Sequence, residues 1–301
     1  MPTLYTQAES NTRKTWFLIF LFLILIISIG WLFSYLLDSY AVLMVSVVLS
    51  VLMSVGSYWY SDKAVIKMSK AFPIGKEDHQ ELYRSVENLC ITAGLPMPGI
   101  YMIDEPQPNA FTTGRNADHS VLVVTKGLLE KLDRTEVEGV VAHELSHIGN
   151  KDMLLGTVIV ILVGVVAMLS DLFLRVSFWG GGGRRKQSSE GSAGIIILVL
   201  GIAAAILTPI VATLIRLAVS RKREFLADAT GVLLTRYPEG LARALEKISK
   251  DQTPLKAANN STSHLYISSP FKGNNAKNWL TKLYMTHPPV EERIRILREM
   301  G

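Results

Sequence analysis

The distribution of apolar residues constrains this chain most. Two runs near the N-terminus, Trp16 to Leu37 and Tyr40 to Tyr58, are separated by little more than Asp38 and Ser39, and two more, Leu154 to Leu174 and Gly194 to Ile215, follow later. Each is close to the about 20 residues a helix needs to cross a bilayer. Only Asp171 and the flanking Arg175 and Arg216 bring charge near the later pair. The runs therefore read as four membrane-spanning helices. A cleavable signal peptide does not fit the first run, which is too long, lacks a small-residue cleavage site and meets a second run at once.

Charge placement orients these spans. Arg13 and Lys14 precede the first, Lys63, Lys67 and Lys70 follow the second, and Arg221, Lys222 and Arg223 follow the fourth. The positive-inside bias puts all three places, and with them both termini, in the cytoplasm. The net charge of +5 is thereby explained, and no nucleic-acid partner is expected. Arg184, Arg185 and Lys186 disagree, because this topology sends their loop outside. Either that loop crosses despite its charge, or the last two runs form a hairpin that does not fully traverse. The single cysteine, Cys90, excludes a disulfide framework or a cysteine-ligated metal site and reads as a buried structural thiol.

The chain thus divides into an N-terminal segment 1–14, a helical hairpin 15–60, a soluble part 61–152, a second hairpin 153–218 and a second soluble part 219–301. Neither soluble part alone comfortably exceeds a marginal domain, so the two are expected to pack together. In the first, Glu77 to Ala93 repeats Leu82, Val86, Leu89 and Cys90 at helical intervals, which predicts an amphipathic helix. The runs "IYMID", "NAFTTG" and "VLVVT" predict a small sheet. "DRTEVEGVVAHELSH" begins a helix that Asp133 or Thr135 can cap. In the second, "SRKREFLADATGVLL" and "PEGLARALEKI" are helical by pattern, with Pro238 in a first turn. The polar stretch Asp251 to Thr281 and the glycine-rich Gly180 to Ser192 read as mobile loops. The expected fold is an α+β membrane protein, mainly helical, with four transmembrane helices and a soluble domain containing a small β-sheet.

The chemistry sits in "VAHELSHIGNKD". Residues four apart share a helix face, so His143 and His147 can direct their imidazoles at one ion with Glu144 beside it. Zinc suits such donors, because it accepts neutral imidazole, keeps a position open and lowers the pKa of water to about 7. Glu144 can then take a proton from water and pass it to a leaving amine. No third histidine follows closely, so the third ligand must come from farther along the chain. Glu224 and Asp228 in "REFLADAT" lie at i and i+4 of another helix. Glu224 is the favoured ligand, and Asp228 the acceptor that orients a ligating histidine. If one ion is shared, the ends flanking the third and fourth runs lie on the same side of the membrane. His79, His119 and His264 belong to no such pattern and read as surface residues.

Four motifs, "PNAFTTG", "VVAHELSH", "REFLADATG" and "THPPVEERI", together resemble the HtpX-type membrane-integrated zinc metallopeptidases, heat-shock proteases related to the CAAX prenyl proteases. The resemblance covers nearly the whole chain, in the same motif order. It implies a zincin-like cytoplasmic catalytic domain on a multi-pass protein of the bacterial inner membrane. The implied activity is endoproteolysis of misfolded or damaged membrane proteins in stress-related quality control. One zinc ion per chain is implied on His143, His147 and Glu224, with Glu144 as general base. Asn109, Ala110 and Phe111 would align a substrate peptide by strand addition. His287 would stabilise the tetrahedral oxyanion with Arg293 as helper, although His287 equally suits a structural cap of the final helix. Thr112 stands where the family usually has alanine, a small change expected to matter little. The implied partners are protein substrates and the lipid bilayer. A non-cleaving, chaperone-like or scaffold member of the same fold is the alternative, disfavoured by the presence of Glu144 and all three ligand candidates. A transporter, suggested by Asp171, is weaker, since a charge at a span end is usually interfacial.

Overall fold

A computed structural model of the chain describes residues 4–36, 39–164, 221–258, 261–271 and 288–301. Two long helices, α1 (Leu4–Leu36) and α2 (Tyr40–Met68), pack against each other. Their outer faces expose Trp16, Phe17, Phe20 and Trp31 on α1 and Met44, Val48 and Leu52 on α2. Water penalises so large an apolar surface, whereas lipid does not.

Among the described residues, Glu9–Ser28 is long and apolar enough to cross a bilayer unbroken. α2 meets the same standard only as a pair of segments, Leu43–Gly56 and Tyr58–Met68. The expectation of four spans is therefore met only in part. The third run begins as α6 (Asp152–Gly164), which turns by 84° from the preceding helix α5 (Arg134–Gly149). Leu155, Val158, Ile159 and Val160 of α6 are wholly buried, and most pack against Leu18, Ile19, Phe22 and Ile26 of α1. This start of the third run faces protein, which apolar composition alone cannot distinguish from facing lipid. The rest of that run, Asp171, the Gly180 to Ser192 loop and the entire fourth run lie outside the described residues.

The sheet has four strands, β1 (Phe72–Pro73), β2 (Gly99–Ile103), β3 (Ala110–Gly114) and β4 (Ser120–Thr125), in the order β1-β2-β4-β3. β2 and β4 are parallel, and the other pairings are antiparallel. This leaves β3 at an edge. α3 (Gln80–Ala93) begins after the expected start at Glu77, because the His79 side chain accepts the Leu82 N–H and caps it. His79 is thus a partly buried cap rather than a surface residue. The short α4 (Lys126–Lys131) leads to α5, which Asp133 opens with a capping box completed by Glu136. Glu136 is fully buried and is held from α8 (Pro238–Lys250) by Arg243 at 3.2 Å and Lys247 at 2.6 Å.

α5 is the central helix. α3, α8 and α7 (Arg221–Thr235) all pack on it, and α9 (Val290–Glu299) closes over α7 and α8. One core joins Leu82, Val86, Leu89 and Cys90 to Val140, Val141, Leu145, Leu241 and Leu245. The two soluble parts accordingly share a core, and Cys90 is buried as expected.

Candidate metal centre

The capping box fixes where α5 starts, and the four-residue spacing then turns His143 and His147 to the same side, toward α7. Glu224 and Asp228 share the face of α7 that looks back at them. The Nε2 atoms of His143 and His147 lie 3.3 Å apart. Glu224 approaches each, with Oε2 3.9 Å from His143 and Oε1 3.8 Å from His147. All three donors fall within 4.8 Å of one another. Two nitrogens bound at about 2.0–2.1 Å to a tetrahedral ion stand roughly 3.3 Å apart, so the histidine pair fits zinc and the carboxylate needs a small approach.

Each histidine is oriented from behind. His143 Nδ1 lies 2.9 Å from Asp228 Oδ1, and His147 Nδ1 lies 3.1 Å from Asp152 Oδ2. A carboxylate can only accept, so each Nδ1 carries the proton and each Nε2 turns a lone pair to the centre. Asp228, the residue expected to orient a histidine, stands behind His143. Asp152 is an addition that the sequence reading missed. The signal was the acidic residue five positions after His147, but its use required knowing that the chain breaks at Lys151, whose φ is 55°, and folds Asp152 back. Burial disfavours a charge on His147, but the Asp152 bond and the nearby Glu224 outweigh it and push its pKa up to about 9.

Glu144 is 2% exposed, and Thr112 Oγ1 donates to its Oε2 at 3.2 Å. Burial raises its carboxyl above the ordinary carboxylate range; His143, His147 and the Thr112 hydroxyl pull it back only in part. Thr112, expected to be inconsequential, thus touches the carboxylate at the heart of the site. A cleft brings together Thr112, His143, Glu144, His147, Glu224 and His264. His264, expected at the surface, is instead 4% exposed, and its Nε2 donates to the Gly156 carbonyl at 3.2 Å. His119 is exposed as expected.

Arg293 is buried behind the histidines. Its Nε and Nη2 donate to Asp228 at 2.8 and 2.6 Å, Nη1 donates to the Ile267 carbonyl at 3.3 Å, and Nη2 lies 3.4 Å from the His143 ring. Asn109, Ala110 and Phe111 lie beside the site on the sheet edge but are fully covered. The Asn109 carbonyl points inward to Thr125, so the carbonyls of Ala110 and Thr112 point off the rim. The Ala110 carbonyl already accepts from the Ile267 N–H at 3.0 Å, and Asn109 Nδ2 donates to the Ser268 carbonyl at 3.0 Å. Tyr266 stands edge-on to Phe111 at 4.9 Å. The described part of the stretch read as a mobile loop is thus pinned along β3. His287 lies outside the described residues.

The chain is similar to several known proteins. Residues 76–301 match peptidase family M48. The chain is 45% identical over 304 residues to a "Protease HtpX homolog" of Dictyoglomus thermophilum, spanning 99% of this chain and 95% of that one. It is 41% identical over 302 residues to another of that name from Caldanaerobacter subterraneus subsp. tengcongensis, spanning 99% and 98%. Among solved structures, S. mikatae Ste24p is similar at 21% identity with a TM-score of 0.49, over 90% of this chain and 62% of that one. With the histidine pair, the distant glutamate and an M48 match that reaches from before α3 to the last residue, the chain belongs to peptidase family M48.

Proposed function

We propose that this chain is a membrane-bound zinc endopeptidase that hydrolyses peptide bonds of misfolded or damaged membrane proteins. The observation that carries the reading is the buried triad His143, His147 and Glu224 with the carboxylate of Glu144 in the same cleft. Zinc held by that triad would supply Lewis-acid polarisation of the scissile carbonyl and acidification of water. Glu144 is the general base: its raised pKa suits it to accept a proton from water and return it to the leaving nitrogen. Thr112 holds that carboxylate toward the cleft. Asp228 and Asp152 keep both imidazoles in the ligating tautomer.

Substrate alignment belongs to the rim of β3. Thr112 offers its outward backbone groups beside Glu144, while the Asn109 to Phe111 rim serves a substrate once Tyr266 to Ser268 withdraws from it. His287, six residues before Arg293 in "THPPVEER", is the proposed oxyanion-stabilising residue, a role supported by its motif. The lipid-compatible faces of α1 and α2 and the basic flanks of the apolar runs support a multi-pass inner-membrane protein with both termini and the site in the cytoplasm.

The test is metal content. Purified in detergent, the wild-type chain is expected to carry about one zinc per chain, and Glu224→Ala to lose affinity by at least about 10-fold. Wild-type affinity in Glu224→Ala would remove Glu224 from the ligand set.

A further inference from the structure

The hydrogen bonds behind His147 do not stop at Asp152. Asn11, in α1, is fully buried near the start of the apolar stretch Glu9–Ser28. Its Nδ2 donates to Asp152 Oδ1 at 2.5 Å and to the Asn150 carbonyl at 3.3 Å. Its Oδ1 accepts from Arg223 Nη1 at 3.2 Å. Asp152 spends its other oxygen on His147. Arg223 is the residue before Glu224, is 4% exposed, and brings Nε to 3.7 Å from Asp152 Oδ1.

One amide therefore ties together three elements, α1, the break between α5 and α6, and the first turn of α7. The last two carry or adjoin metal-ligand candidates. A buried amide is costly unless its bonds are made, and a helix that needed only to pack would be served by an apolar residue here. The bonds run to the carboxylate that fixes the His147 tautomer and to the neighbour of Glu224. If Asn11 is removed, Asp152 Oδ1 loses its closest donor, and the carboxylate is free to rotate toward Arg223 and away from His147.

We propose that Asn11 is a positioning residue of the metal centre. It holds Asp152, and through it His147, so that the first apolar helix is a working part of the site rather than an anchor alone. This rests on the reading of His143, His147 and Glu224 as zinc ligands. Outer-shell partners of ligating histidines typically contribute about 10- to 100-fold in metal affinity, and Asn11, one bond farther out, belongs at roughly the lower end.

The test uses the full chain in detergent. Zinc dissociation constants are measured by competition with a chromophoric chelator for wild type, Asn11→Ala, Asp152→Asn, the double variant and Lys14→Ala, an exposed position on the same helix. Circular dichroism of the metal-free proteins checks folding. Asn11→Ala is expected to bind zinc about 10-fold more weakly, and Lys14→Ala like wild type. The double variant is expected to be no worse than Asp152→Asn, because the two residues act in series. Saturating zinc restores kcat of Asn11→Ala without changing KM, which a general loss of packing would not allow. A wild-type zinc constant in Asn11→Ala, or a loss fully additive with that of Asp152→Asn, would overturn the proposal. Should Asn11→Ala not fold, Asn11→Ser carries the same comparison. A wild-type chain that takes up no zinc would instead refute the ligand reading, and the positioning role with it.

Discussion

Replacing Arg293 with methionine removes a buried cation while keeping most of its volume. Arg293 is 2% exposed and forks onto Asp228, itself 1% exposed, with a nitrogen 3.6 Å from Glu224 Oε2. The variant leaves two buried carboxylates without that partner. Breaking a buried pair by removing one member costs about 3–5 kcal/mol, and solvent screening offers no discount at this burial. The pH dependence sharpens the expectation. Burial alone would raise the Asp228 carboxyl, but Arg293, followed by His143, overrides it and holds the pKa at about 2. In the wild type this carboxylate stabilises the fold above its unfolded pKa of about 4, and that contribution is lost as pH falls toward 2. Without the guanidinium only His143 opposes burial, and the pKa rises from its wild-type value. The variant then draws less stability from this carboxylate at neutral pH, and its deficit against the wild type shrinks as pH falls and the carboxyl is protonated in the variant first. Denaturant unfolding of the metal-free proteins in detergent, at pH of about 7.5 and about 5, measures both effects. The expected result is a large deficit at the higher pH that narrows at the lower. Arg293→Lys restores the charge but not the fork, and should recover part of the deficit. Equal midpoints at neutral pH, or a deficit that does not change with pH, would refute this reasoning.

Two further predictions concern packing. A Cβ at Gly231 would lie 3.1 Å from the His143 backbone nitrogen and 3.3 Å from the Ala142 carbonyl carbon, so Gly231→Ala must move α7 from α5 by a few tenths of an ångström. The gain in helix propensity offsets the crowding to within about 1 kcal/mol, so unfolding changes little while zinc affinity falls; unchanged affinity would show that the centre tolerates the shift. Cys90, whose thiol burial pushes up to about 11, should resist alkylation at pH of about 8 until the chain unfolds. Rapid labelling of the folded protein would contradict its place in the core.

The metal ligand candidates were legible because they lie on helices, where spacing dictates direction. His143 and His147 at i and i+4, and Glu224 with Asp228 at the same interval, needed no tertiary knowledge beyond the assumption that two helices face each other. Asp152 and Asn11 were not legible. Asp152 reaches His147 only because Lys151 adopts a left-handed conformation, and Asn11 reaches Asp152 across 141 residues. His264 and Tyr266 sit in a polar stretch whose composition suggests a loop, while its backbone is satisfied by β3 and Arg293. The small size of Thr112 says little about it, whereas its hydroxyl donates to Glu144. The third apolar run misleads in another way, since the apolar residues at the start of α6 are buried by protein, which hydropathy cannot separate from a lipid-facing span.

Cleavage of an unfolded protein substrate by the zinc-loaded wild type and by Glu144→Gln, at equal metal content, bears on the assigned chemistry. Glutamine keeps the shape and can still accept from Thr112, but it cannot take a proton from water. The wild type should cleave, and Glu144→Gln should retain its zinc and lose at least about 100-fold in kcat. Cleavage by Glu144→Gln at the wild-type rate would contradict the role given to Glu144.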